Sequence, residues 1–166
     1  MQLNRRSTLL LGGLLLALCV VCDRAAKDAA ESLRGRPPVE IAGGIITLSY
    51  AENSGALMSI GAGLPEKTRF LIFTAGVGVL LAGITGVLMF ASGLPKALVI
   101  AFSLILAGGG SNLFDRISND GRVVDFIMLG AGVFRTGIFN LADVAIVLGA
   151  SVLLLTMARR KPPIPS

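Results

Sequence analysis

Four long apolar runs constrain this chain more than any other feature. Inside lipid every backbone N–H and C=O must be satisfied within its own segment, so runs of this length are read as membrane helices. The first begins near Ser7 and continues past Asp23. Thr8–Cys22 alone would span about 22 Å at 1.5 Å per residue, short of a ~30 Å hydrocarbon core. The Ala-rich continuation through Ala25, Ala26, Ala29 and Ala30 therefore belongs to it. The second run is about Arg69–Ala91, with Gly78 and Ala82 at a small-xxx-small spacing that allows close helix contact. Ser92-Gly93-Leu94-Pro95 breaks the chain before the third, about Lys96–Phe114, and the fourth is about Asn140–Ala158.

Two segments do not read as membrane helix. Val39–Asn53 is β-like, with a Gly43-Gly44 turn, and Gly121–Ile138 is β-branched and Gly-punctuated. The two are expected to pair into a small sheet beside the bundle. The fold class is thus an all-α membrane protein: four transmembrane helices with a small extracytoplasmic β-sheet, in one domain over residues 1–166. Residues 158–166, with Arg159, Arg160, Lys161 and several prolines, read as a disordered cytoplasmic tail. The bases at both ends and Lys96 between helices two and three place both termini in the cytoplasm, although the long loop from Arg24 to Arg69 is also basic. The sheet then faces outward.

The amino end imitates a secretory signal, with Arg5 and Arg6 before Thr8–Cys22. No clean small-x-small site follows, and Leu18 and Val21 precede the two cysteines where small residues would be needed. A retained helix is the expectation. Cys19 and Cys22 read as small buried hydrophobes.

Composition excludes several chemistries. The chain has no His, so a Ser-His-Asp triad, a Cys-His pair and an HExxH zinc site are impossible. With two Cys and no His, an ordinary zinc site is not expected, and no metal or cofactor is implied. The net charge of +5 resides at chain ends and in loops, as basic flanks of membrane helices do, so nucleic acid is not an expected partner.

Polar residues in so apolar a chain are informative, because ionisable groups at membrane depth are costly. Asp23 and Lys27 share a helix face at i, i+4 and are either a local ion pair or the lining of a polar cavity. Asn53-Ser54-Gly55-Ala56 is by itself a turn. Asn112, Asp115 and Arg116 end an apolar helix after Gly108-Gly109-Gly110. Asn140 and Asp143 resemble a capping box. Asp125, between Val124 and Phe126, is a lone acid in an apolar strand. Polar groups in a small bundle must find one another or be desolvated separately, so Asp125 and Asp143 are expected to meet.

Taken in order, five blocks resemble those of lipoprotein signal peptidase, the type II signal peptidase of bacteria. They are Asp23-Arg24-Ala25-Ala26-Lys27, Asn53-Ser54-Gly55-Ala56, Gly110 through Arg116, Val123-Val124-Asp125-Phe126 and Phe139-Asn140-Leu141-Ala142-Asp143. The resemblance implies a membrane aspartyl endopeptidase that cuts a diacylglyceryl-modified prolipoprotein just before its lipid-bearing Cys. Asp125 and Asp143 match the catalytic pair. Asp23, Lys27, Asn53, Gly55, Asn112, Asp115, Arg116 and Asn140 match positions that bind substrate or orient the site. The implied setting is the bacterial inner membrane, with the site near the outer leaflet, membrane lipid as a partner and a monomer as the working form. Arg24, Leu57 and Met58 depart from the usual pattern, and substrate preference is where those departures bear. A proton-coupled transporter is the rival reading for intramembrane carboxylates. A Ser-Lys hydrolase using Lys27 with Ser54 or Ser111 is a second rival.

Overall fold

The structure is a computed structural model that describes residues 3–56 and 59–159. Leu57, Met58 and the basic end of the tail, Arg160 and Lys161, lie outside the described residues.

Among the described residues, four helices are long and apolar enough to cross a membrane: α1 Arg5–Glu31, α2 Glu66–Phe90, α3 Lys96–Ser118 and α4 Leu141–Ala158. α1 starts at an Asn4 cap, whose side chain accepts from the Ser7 amide at 2.8 Å. It runs two turns beyond Asp23, as the length argument requires. α2 starts three residues before the expected Arg69, on Pro65, and its stretch Phe70–Gly76 is wound as π-helix. α3 continues four residues beyond the expected Phe114. Asp115 and Arg116 are therefore helical residues, and partners from other elements allow the helix to carry them inward.

The β segments form one antiparallel sheet in the order β1 Val39–Ile41, β2 Ile46–Asn53, β3 Val123–Ala131 and β4 Phe134–Arg135. Ala42–Gly44 forms the turn between β1 and β2, with Gly43 at φ +67°. β2 and β3 pair from Ile46↔Leu129 to Asn53↔Val123, with a register shift between Leu48 and Ala51. Phe139 then returns to bridge Ile127, which delivers the start of α4 to the middle of β3.

α3 is the central helix and packs on α1, α2 and α4; α1 also touches α2 and α4. The glycines that matter lie in α3 and α4. A Cβ on Gly108 would fall 2.2 Å from the Ala142 carbonyl oxygen, and one on Gly149 2.7 Å from that of Ala101. The expected contact through Gly78 is ordinary by comparison, since a Cβ there would meet only Leu113, at 3.8 Å. Without a hydrophobic drive between helices in lipid, such backbone approach is a main source of association. Gly108→Val should therefore separate α3 from α4 and lower stability by about 1–3 kcal/mol or more, read as a fall in the thermal midpoint in detergent.

The cysteines correct the sequence reading: Cys22 is exposed and Cys19 half-buried, both free thiols on the outer face of α1. An apolar face turned to lipid and one turned to a core have the same composition, so the sequence does not separate them.

Candidate active site

All ten candidate residues gather at the sheet end of the bundle. Nine are buried side chains, and Gly55 contributes its backbone. The convergence begins with local rules. Asn53 opposes Val123 across β2 and β3, so its side chain has Asp125 as diagonal neighbour on the same face. Asn53 Nδ2 donates to Asp125 Oδ2 at 2.9 Å and to the Ala56 carbonyl at 2.9 Å, while Asn53 Oδ1 accepts from the Gly55 amide at 2.8 Å.

Asn140 joins the two aspartates. It is wholly buried, and its Nδ2 donates to Asp125 Oδ1 at 2.7 Å. Its Oδ1 accepts from the Asp143 amide at 2.9 Å, and its own amide donates to Asp143 Oδ2 at 3.4 Å. This is the capping box expected from sequence. The box engages only one carboxylate oxygen. The other, Oδ1, accepts from Asn112 Nδ2 at 2.8 Å. Asp143 is thus both a helix cap and a member of the polar site.

A second layer holds the first. Lys27 Nζ lies 2.9 Å from Asp23 Oδ2, 2.8 Å from Asp115 Oδ2 and 3.0 Å from Asn112 Oδ1. Asp23 also accepts from Ser111 Oγ at 2.6 Å and from the Ala142 amide at 2.9 Å, so α1 grips the first turn of α4. Asp115 accepts from the Val124 amide at 3.3 Å, which fixes β3 beside Asp125. Arg24 closes the group on Asp115 Oδ1 at 2.5 Å and lies over the Phe114 ring. The Asp23–Lys27 pair is therefore both a local ion pair and part of the cavity's support. Lys27→Met would leave two buried carboxylates without their shared cation. It should destabilise by about 3–5 kcal/mol, measured by thermal unfolding; Arg24, more exposed, should cost less.

Asp125 and Asp143 line one cavity of about 230 Å³ with Asn53, Asn112 and Arg116. Its remaining wall is apolar and includes Phe73 and Val77 of α2, and Ile146 and Val147 of α4. Both helices pack on α3, and Val147 is half exposed beside the cavity. Arg116 Nη2 donates to the Gly55 carbonyl at 2.6 Å, and its guanidinium lies over Phe73, which the π-helical stretch carries. Burial pushes the Asp125 carboxyl up to about 6. The Asp143 carboxylate raises it as well, while hydrogen bonds from Asn53 and Asn140 and the charge of Lys27 oppose the rise.

Residues 15–159 match the family model described as Signal peptidase (SPase) II. The chain belongs to the signal peptidase II family. It is 40% identical to the lipoprotein signal peptidase of Caldicellulosiruptor bescii over 136 residues, covering 82% of this chain and 81% of that one. It is 30% identical to the lipoprotein signal peptidase of Treponema denticola over 169 residues, covering 96% and 98%. Two solved bacterial membrane enzymes share the fold. One has a TM-score of 0.78 at 19% identity over 99% of each chain, the other 0.73 at 23% over 90% of this chain and 94% of that one.

The family supports peptide cleavage rather than transport, and the polar layout bears on both rival readings. A transporter needs a polar track across the membrane, whereas the buried charged groups here all lie at one end of the bundle, among the described residues. A Ser-Lys hydrolase needs a lysine with a free lone pair beside its serine. Lys27 is occupied by two carboxylates and an amide oxygen, and Ser111 donates to Asp23. Sequence reasoning missed Phe73, Val77, Ile146 and Val147, because apolar wall residues look like any others in a membrane helix. The sequence offers Ser111 only as a nucleophile of the rival Ser-Lys reading; the structure places it as a donor to Asp23.

Proposed function

We propose that this peptidase removes signal peptides from diacylglyceryl-modified prolipoproteins by aspartyl chemistry, with Asp125 and Asp143 as the catalytic pair. The observation that carries the reading is two carboxylates, bridged by Asn140, in one cavity walled by apolar side chains of two membrane helices. The names of the relatives support the substrate.

Charge balance supports the protonation state. Lys27, Arg24 and Arg116 are the cations of this cluster, and Asp23, Asp115, Asp125 and Asp143 its carboxyl groups. Lys27 and Arg24 are spent on Asp23 and Asp115. Arg116 then offsets one negative charge on the pair, and the other carboxyl retains a proton. The pair titrates as a unit. Its ionised member takes a proton from the attacking water. Its protonated member polarises the scissile carbonyl, and a proton then reaches the leaving nitrogen. Asn53 and Asn140 hold Asp125, Asn112 holds Asp143, and Arg116 orients the peptide.

In this reading the substrate enters between α2 and α4, whose apolar side chains wall the cavity, so its acyl chains remain in the bilayer while the peptide reaches the pair. In this reading the protein is a monomer in the bacterial inner membrane. Both termini are cytoplasmic and the sheet and site lie near the outer leaflet.

A pH profile tests the shared proton. The pair in the free enzyme loses it as pH rises, the Asp125 carboxyl being pushed up to about 6 by burial, so kcat/KM should fall on the alkaline side. Bound substrate excludes more water and holds the proton more tightly, so the limb in kcat should lie at higher pH. A profile flat between pH 5 and 9, a window of about two units either side of neutrality, would count against the shared proton.

A further inference from the structure

Arg116 has a second face that the proposed chemistry does not use. Its Nε is buried and has no hydrogen-bond partner among the described residues. Besides the dyad cavity, the side chain lines a cavity of about 350 Å³ with Glu66, Arg69, Phe70, Thr74, Ile117 and Asp120. Two carboxylates and two guanidinium groups thus face one space. None of these four makes an ion pair with another, among the described residues. Arg69 commits one nitrogen to the carbonyls of Ala62 and Leu64, at 3.1 and 3.0 Å, which leaves its other donors available.

Position decides what such a space can hold. Glu66 is the first residue of α2, and Asp120 lies two residues past the end of α3. Both mark the depth at which helices leave the apolar core, where lipid headgroups sit. Adjoining the cavity and sharing Glu66 and Phe70 with it is a groove of about 440 Å³ on the outside of α2. Phe70 and Leu71, both well exposed, form its apolar floor one turn deeper.

We propose that this corner of the bundle binds a phospholipid whose headgroup carries a primary ammonium. The phosphate accepts hydrogen bonds from the free donors of Arg69, beside the Arg116 guanidinium that lines the same cavity. The ammonium lies between Glu66 and Asp120, and an acyl chain follows Phe70 and Leu71. A purely anionic headgroup leaves the two carboxylates facing a negative charge. A quaternary ammonium keeps the charge but has no proton to donate. Because Arg116 also lines the dyad cavity, the bound phosphate would fix the plane of the guanidinium that faces the substrate.

The test is native mass spectrometry of delipidated protein in detergent, titrated separately with dioleoylphosphatidylethanolamine, dioleoylphosphatidylcholine and dioleoylphosphatidylglycerol. Ethanolamine lipid should bind about tenfold more tightly than either of the others, the ratio that one charge-assisted hydrogen bond supplies. A Glu66→Gln/Asp120→Asn double variant should lose that preference while keeping its thermal midpoint. Equal binding of the three lipids by the unaltered protein would overturn the proposal, as would a preference that survives in the folded double variant. The wild-type comparison decides the matter even if the double variant does not fold. Because the readout is binding, the result stands apart from whether Asp125 and Asp143 are catalytic.

Discussion

Asp125→Asn and Asp143→Asn should each lower kcat by roughly 10⁴-fold, at the upper end of the range for a lost acid-base group, because either change removes both roles of a shared proton. Folding should survive. An amide in place of the Asp125 carboxyl would keep its shape, and its oxygen could still accept from Asn140 or from Asn53. The same exchange at Asp143 would retain an oxygen for Asn112 or for the cap. Each variant turns its new NH2 toward one of two donors, so it should reach the membrane folded but with a lower thermal midpoint, by about 1–3 kcal/mol of stability. Near-normal turnover by either would sink the aspartyl mechanism. Ser54→Ala in the same cleavage assay should leave the rate almost unchanged, since no step is assigned to that hydroxyl.

Lipid on the substrate should matter almost as much as the aspartates. The cavity is walled by Phe73, Val77, Ile146 and Val147, so an acyl chain can remain against apolar surface while the peptide reaches the pair. Each buried methylene contributes about 0.8 kcal/mol. Roughly three to four of them correspond to about a hundredfold. A prolipoprotein without its diacylglyceryl group, or with its Cys replaced by Ser, should thus be cut with a kcat/KM at least about a hundredfold lower in mixed micelles. Equal values would mean that the site does not read the lipid, even with both aspartates catalytic. Arg116 and Asn53 variants should weaken the discrimination more than they disturb folding, because both touch the peptide side of the cavity.

Much of this fold is legible from the sequence because the bilayer leaves few choices. Apolar length sets four helices, and β-branched runs with glycine turns set the strands. Boundaries were less legible where tertiary partners intervene. α3 passes Phe114 to Ser118 because Lys27, Arg24 and the Val124 amide stabilise Asp115 in its final turns. The small-residue contact fell on Gly108 and Gly149 rather than on Gly78. Many glycines in a membrane helix look alike, and only the packing partner tells them apart.

The sequence by itself determined which groups had to be gathered. The chain has no His, and lipid makes its carboxylates, amides and scattered bases costly to leave alone. Tertiary structure decided how they are gathered. The pairing of Asn53 with Val123 aims one amide at Asp125, and the return of Phe139 onto Ile127 brings Asn140 between the two acids. The packing of α2 and α4 on α3 supplies the apolar wall of the cavity. These are contacts across 15 to 119 residues of chain, such as Asn140 to Asp125 and Ala142 to Asp23. Local periodicity does not encode distances of that kind; they follow from how backbones pack once the helices are in place.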